Sequence, residues 1–562
     1  MKGLQAFEVL PGEAIVLDMF FDPQAVAVIG ASRTPGKLGH VVLSNIIQGG
    51  YQGAVYPINP QADQVLGLPC YPSVLAVPGP VDLAVILVPS AQVARVLIEC
   101  GEKEVRGAII ISVGFREVGA EGWQREREIV EIARRYGMRL IGPNSLGIIE
   151  PVSRLNASFA SAMPRRGTIA FMSQSGALCT SILDMALADG IGFSHFVSLG
   201  NKADTDEITF IEAWHQDPHT RVIIAYLEGI ENGPEFMRIA ARVSREKPII
   251  VIKAGTTQAG SRAVSSHTGT LAGSEQAYEA ALRQCGVLRV RSLQELFDYA
   301  VAFARQPLIS NPWVAIVTNA GGPGIMAADA CERAGLQLAH LGAETMERLS
   351  QALPAAASVL NPVDLLGDAP AERYRVAVEE LYADPNVGSL VVILTPQATT
   401  EVEETARIIG ELSVGNQKPV IACFMGRGAV EAGVRLLHQY NVPNYPVPER
   451  AVAALAAMMY HRRWRERPLA QPENWIADRA RVQQVLAQAR TEGRLTLDEL
   501  EAQEVLKAYG VPVPRTGLAH TADEAVSLAE QIGFPVVLKI VSPDISKKME
   551  VGGDLPEHPD AN

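Results

Sequence analysis

AVAVIGASRTPGKLG, residues 25 to 39, begins as a continuous apolar, β-branched run and then breaks into glycines, small residues and cations. Such a run, followed at once by a Gly-rich turn, reads as a strand buried on both faces that feeds a helix. The same design recurs in AVYPIN (54 to 59), LAVILV (83 to 88), GAIIIS (107 to 112) and RLIGPN (139 to 144). Intervals of about 25 to 30 residues hold one helix and two turns, so this block is expected to be a doubly wound sheet.

Two further blocks repeat the pattern. GTIAFMSQ (167 to 174), FSHFVSLG (193 to 200), VIIAYLEG (222 to 229) and PIIVIKAG (248 to 255) make the second, and WVAIVTNAG (313 to 321), SLVVILTP (389 to 396) and PVIACFMG (419 to 426) the third. The fold class is therefore α/β with three doubly wound domains. The expected boundaries are an N-terminal extension at 1–20, domains at 21–150, 151–300 and 301–460, a linker at 461–490 around HRRWRERPLAQPENW, and a partial unit at 491–562.

A chain of 562 residues is too long for one core, which agrees with several domains. The net charge of -13 is mild for that length, and no basic stripe with interleaved aromatics appears, so nucleic acid is not an expected partner. The six cysteines lack paired spacing, which suggests neither a zinc ribbon nor a disulfide framework and fits a reducing cytoplasm. The apolar runs are far shorter than the roughly 20 residues of a membrane span. The amino terminus lacks a continuous apolar stretch and a small-residue cleavage site. A soluble, cytoplasmic protein is expected.

The chemistry should lie in the turns leaving the strands, where helix amino termini offer free N–H groups and partial positive charge. In the first such turn Gly30, Gly36 and Gly39 do not fit the GxGxxG spacing, and the second strand ends in Asn59 and Pro60 where NAD readers carry an acid. A nicotinamide dehydrogenase is disfavoured. Arg33 and Lys37 suit a nucleotide with extra phosphate, such as coenzyme A; the bland alternative is a tight turn with two solvated cations. In MSQSGALCTSILDMA (172 to 186), Ser173, Ser175 and Gly176 open a helix, and in TNAGGPGIMAADA (318 to 330) Asn319, Gly321 and Gly322 do the same. Either start alone is also an ordinary cap, but two could hold one anion from two sides.

SSHTGTLAGS, residues 265 to 274, places His267 among small residues with no metal-ligand spacing. A neutral imidazole, with a reference pKa of about 6.5, is a nitrogen nucleophile toward phosphorus. Its other nitrogen needs a carboxylate to hold the proton, and Glu228, ending VIIAYLEG, is the candidate. The competing reading makes His267 a polar loop residue and Glu228 a cap of a neighbouring helix. His215 and His219 have helical spacing, but Pro218 intervenes and no third ligand is evident, so no metal is expected.

FFDPQAVAVIGASRTPGKLG, YPINP, IGPNSLG, SQSGAL, YLEGI, SSHTGTLAGS, TNAGGPG and NPVDL occur in this order. Together they resemble the NDP-forming acyl-CoA synthetases, the ADP-forming acetate–CoA ligases related to succinyl-CoA synthetase. The resemblance implies one Rossmann-like CoA-binding domain and two flavodoxin-like domains. It implies that His267 carries a phosphoryl group between two remote sites, that Glu228 steadies it, and that the helices at Ser173 and Asn319 hold the phosphohistidine. It further implies that coenzyme A lies around Gly30, Ser32, Arg33, Lys37 and Asn144, and that Asp364 of NPVDL is near the phosphate. The implied reaction is reversible: acyl-CoA, ADP and phosphate give acid, CoA and ATP, with acetate the family's commonest acid and an oligomeric assembly.

The stretch beginning LTLDELEAQEV is similar to the opening of the family's ATP-grasp domain, with Lys539 as a nucleotide-phosphate contact. The lobe that should carry the magnesium carboxylates is not seen in the sequence, so the ADP/ATP and magnesium site is expected to be incomplete. Either an ATP-grasp subunit supplies that lobe or the chain is a truncated product. A reading of another class, a non-catalytic CoA- or acyl-CoA-binding regulatory protein, follows from the same gap.

Overall fold

The computed structural model describes residues 17–262, 274–415, 417–468, 477–541 and, as backbone, 554–558. They fall into two compact units divided after Arg467.

The first sheet of the larger unit comprises β1 (Ala25–Ile29), β2 (Ala54–Ile58), β5 (Leu83–Ile86), β6 (Gly107–Ile110) and β7 (Arg139–Ile141), with a small hairpin of β3 (Gln64–Val65) and β4 (Leu68–Pro69) outside it. Its order is β2-β1-β5-β6-β7, parallel throughout. Every residue of β1, β5 and β6 is buried, which is why these strands read as unbroken apolar runs. Chain order reverses between β1 and β5, so a crevice opens outside their carboxyl ends. Leu17, Met19 and Phe20 are buried in this region's core, which corrects the extension assigned to 1–20: from residue 17 onward the chain is part of the fold.

The second sheet comprises β8 (Gly147–Glu150), β9 (Leu155–Ser158), β10 (Arg165–Ser173), β11 (Gly192–Ser198), β12 (Val222–Leu227), β13 (Ile249–Lys253) and β14 (Leu288–Val290), in the order β14-β13-β12-β10-β11-β8-β9. Five of these strands are parallel, and the β8–β9 hairpin closes one side antiparallel. The third sheet comprises β15 (Trp313–Thr318), β16 (Gln337–Leu338), β17 (Val363–Asp364), β18 (Ser389–Leu394) and β19 (Val420–Phe424), in the order β16-β15-β18-β19. Strand β17 lies beside the carboxyl end of β15 and so sets Asp364 opposite Thr318.

The helix Pro448–Arg465 ties the second and third sheets together, because Leu455 and Met458 share one core with Phe297, Phe303 and Val314. This corrects the linker assigned to 461–490. His461 and Trp464 are 1% and 5% exposed, while Arg463 and Arg465 face outward, so the arginine-rich run is one face of a packed helix. The second unit has helices Arg479–Thr491, Glu499–Ala508 and Ala522–Ile532 and an antiparallel pair, β20 (Val536–Lys539) with β21 (Asp554–His558). Among the described residues no helix is long and apolar enough to cross a membrane.

Candidate functional site

The turns leaving β10 and β15 are built alike. At the first, Ser173 Oγ donates to Ser175 O and accepts from Ser175 N, both at 3.0 Å. At the second, Thr318 Oγ1 donates to Ala320 O at 2.9 Å and accepts from Ala320 N at 3.0 Å. In each, a strand-final hydroxyl closes the turn and aims the next residue into a helix, Gly176–Ala188 or Gly321–Arg333. The middle residue then reaches to the turn after the neighbouring parallel strand. Gln174 Oε1 accepts from Glu228 N at 2.5 Å and Gly229 N at 3.0 Å. Asn319 Oδ1 accepts from Thr395 N at 2.9 Å, while its Nδ2 donates to Thr395 O at 2.9 Å. The Asn319 side chain is therefore committed to Thr395, and at that start an anion would meet the exposed backbone of Gly321 and Gly322.

The two starts also differ. Ser175 caps its helix by accepting from Leu178 N at 3.4 Å, whereas Ala320 has no side chain to do so. Asp364 takes up that side: its Oδ1 accepts from Leu366 N at 2.9 Å, and its Oδ2 lies 3.5 Å from where a Cβ on Gly321 would stand.

Around Glu228, itself 7% exposed, stand two buried lysines. Lys253, at the end of β13, donates from Nζ to Glu228 O at 2.7 Å and to Ala254 O, and lies 4.5 Å from the centre of the Tyr278 ring. Burial pulls its ammonium down to about 8 against the nearby Glu275 and Glu228 carboxylates. Lys202 donates to Gly229 O at 2.8 Å and to Glu207 Oε2 at 2.7 Å. Tyr278 Oη accepts from Ile230 N at 3.4 Å. Glu228 does not cap the following helix: Asn232 does, accepting from Glu235 N at 3.2 Å.

In the first sheet, Gly30, Ser32, Arg33 and Lys37 leave the carboxyl end of β1, beside the order reversal. A Cβ on Gly39 would sit 2.0 Å from Gly30 O, so only glycine lets the helix Leu38–Gly49 start this close to the strand end. Ser32 Oγ accepts from Thr34 N at 3.1 Å and Arg33 Nη2 donates to Gln61 O at 3.4 Å, leaving Lys37 exposed at the helix start. Asn144 leaves β7, three strand positions away on the same edge, roughly 14 Å at about 4.8 Å per strand. Its Nδ2 donates to Asn201 Oδ1 at 3.3 Å, and Asn201 Nδ2 donates to Glu117 Oε2 at 2.7 Å and Glu126 Oε2 at 2.8 Å. Asn201 precedes Lys202, so this network joins the edge of the first sheet to the Glu228 turn.

His267 lies outside the described residues. Lys539 is in the second unit, exposed and paired with Glu499 Oε1 at 3.1 Å. His215 Nε2 pairs with Glu246 at 3.0 Å, and among the described residues no three His, Cys, Asp or Glu side chains group to hold a metal. Sequence reading missed Gln174, Lys202 and Lys253. The one signal was a lysine ending the apolar run PIIVIK, where a buried cation demands a partner.

Four family descriptions match the chain in order: a CoA binding domain at 24–151, a succinyl-CoA ligase like flavodoxin domain at 166–303, a ligase-CoA domain at 314–467 and an ATP-grasp domain at 488–555. An acetate–CoA ligase [ADP-forming] I of Archaeoglobus fulgidus is 44% identical over 96% of this chain and 77% of its own length. In acetate–CoA ligase [ADP-forming] II of Pyrococcus furiosus, subunit alpha is 45% identical over 79% of this chain and 97% of its own. Its subunit beta is 51% identical over 12% of this chain and 28% of its own. A dinucleotide forming acetyl-coenzyme A synthetase 1 of Ca. Korarchaeum cryptofilum, solved with phosphate and ADP, superposes with a TM-score of 0.77 at 40% identity over 80% of this chain and 98% of its own.

Proposed function

The chain belongs to the ADP-forming acyl-CoA ligases, acid–thiol ligases, and we propose that it works by passing a phosphoryl group through His267. A phosphate oxygen attacks the acyl carbonyl of acyl-CoA; the C–S bond breaks, CoA leaves as its thiolate and acyl phosphate remains. A ring nitrogen of His267 then attacks phosphorus, and the P–O bond to the acyl group breaks to release the carboxylate. Finally an oxygen of ADP attacks the phosphohistidine, the P–N bond breaks and ATP forms. Acetate is the proposed acid, after the names of the relatives.

Glu228 accepts the imidazole N–H and keeps the attacking nitrogen unprotonated. The helix starts at Ser173, Ser175 and Gly176 and at Asn319, Gly321 and Gly322, with Asp364 alongside, offer N–H groups to the phosphoryl oxygens. Gly30, Ser32, Arg33, Lys37 and Asn144 line the place of coenzyme A, and the close Gly39 contact sets the start of the helix Leu38–Gly49 against the strand end. Lys539 meets the nucleotide phosphates. The subunit naming of the Pyrococcus furiosus relatives supports a second polypeptide as partner for the ADP step. Magnesium would accompany the nucleotide; among the described residues no three His, Cys, Asp or Glu side chains group to hold it.

What carries this reading is the pair of like-built helix starts, one with a buried carboxylate in the adjoining turn. The test is incubation with acetyl-CoA and labelled phosphate. Base-stable, acid-labile label is expected in the protein and none in His267→Ala. Label persisting in His267→Ala, or no label in folded protein that binds CoA, would overturn the reading.

A further inference from the structure

The Glu228–Gly229 dipeptide has four polar backbone groups, and side chains from three other strand ends hold all of them. Gln174, after β10, accepts both N–H groups; Lys253, ending β13, donates to one carbonyl; Lys202, after β11, donates to the other. Burying two ammonium groups is costly, and here Lys202 recovers part of that cost from Glu207 and Lys253 from two carbonyls and the Tyr278 ring. A turn of this shape does not need them. In the third sheet Thr395 occupies the matching place and uncharged groups hold it: Asn319 accepts from its N–H, and Asn319, Thr400 Oγ1 and the Gln397 N–H donate to its carbonyl. The lysines appear where the turn carries a carboxylate.

We propose that Gln174, Lys202 and Lys253 are positioning residues of the phosphotransfer, clamping the Glu228–Gly229 backbone so that the Glu228 side chain keeps a single direction. The proposal rests on the role given to Glu228 above. Two of the three also carry that hold outward. Lys202 adjoins Asn201, which is bonded to Asn144 at the edge of the first sheet, and Lys253 is stacked on Tyr278. The clamp thus joins the strand ends that bear the proposed CoA and phosphate contacts, and a shift of the turn by an ångström would be felt as lost reaction geometry.

The test is a double-mutant cycle on the full chain, read as the single-turnover rate of labelling by acetyl-CoA and labelled phosphate, with His267→Ala as the control for the labelled residue. Lys253→Met should slow labelling by roughly 30-fold with KM for acetyl-CoA unchanged, and Lys253→Arg should restore part of the rate. Gln174→Met, which removes no charge, is the second variant and should slow labelling in the same sense; thermal unfolding establishes that each variant folds. In a Glu228→Gln background, Lys253→Met should cost less than about 2-fold more. The clamp is overturned if the two losses multiply, if only KM rises, if labelling is unaffected in both folded variants, or if Glu228→Gln itself is without effect. Label that survives His267→Ala sinks the phosphohistidine reading instead, so the two failures are told apart.

Discussion

The second and third sheets use one device for two purposes. Both close the strand-to-helix turn with a strand-final hydroxyl, Ser173 or Thr318, and both send an amide, Gln174 or Asn319, to the turn of the neighbouring strand. The second sheet then adds a carboxylate, Glu228, and two buried lysines. The third has Thr395 at that place and an acid, Asp364, against its own helix start. The shared part is what a backbone needs to turn at a sheet edge, and the unshared part is the carboxylate to which the proposed function gives a role.

The sharpest way to break this comparison is to exchange the two turn residues for near isosteres. Glu228→Gln should slow phosphate labelling by about 100-fold, whereas Thr395→Val should change it by less than about 3-fold. Equal losses would mean that the sheets are functionally equivalent.

A pH scan separates the sheets in stability. In the second, His195 Nδ1 lies 2.6 Å from Glu150 and Nε2 3.0 Å from Asp217. Burial pulls the imidazolium down, but the two carboxylates outweigh it and raise it to about 9. Its stabilisation is complete below the unfolded value of about 6.5 and is lost as pH rises through the raised folded value. In the third, His438 is lowered to about 4 by burial and by Arg305 and Arg165. It costs nothing above about 6.5, and stability falls as pH drops from there toward 4. Thermal midpoints should therefore fall on both limbs, with His195→Asn flattening the alkaline one and His438→Asn the acid one.

Smaller effects come from the shared device. Asn319→Ala leaves the part-buried N–H of Thr395 without its partner, while Thr400 and Gln397 still donate to the carbonyl, and should cost about 1.5 kcal/mol in thermal or urea unfolding. Ser175→Ala removes only a cap and should cost about 1 kcal/mol, whereas Ala320→Ser, at the uncapped start, should gain a few tenths.

The three sheets were legible because buried parallel strands are spelled as unbroken apolar runs, and both helix starts because Ser, Gly and Asn stand directly after them. The clamp was not. Gln174, Lys202 and Lys253 are 28 and 51 residues apart along the chain, and only the strand order β13-β12-β10-β11 brings them to one turn. The stretch around His461 misled for a different reason. Its arginines dominate the composition, but a helix sorts residues by angle, and His461 and Trp464 fall on the inner side. His267 lies outside the described residues, and what the structure adds there is Lys253 and Tyr278, which precede and follow that stretch in the chain.

Trp464 has one more implication. Its ring fills the space where a side chain on Gly286 would begin, 2.4 Å from that Cβ, and Arg245 lies 5.3 Å from the ring centre. Gly286 and Arg245 belong to the second domain, whereas Trp464 ends the last helix of the third. Anyone recombining domains between relatives must therefore keep the second and third domains together: a crossover near residue 310 that brings in a partner without a matching tryptophan leaves a hole, and one without the glycine leaves a collision.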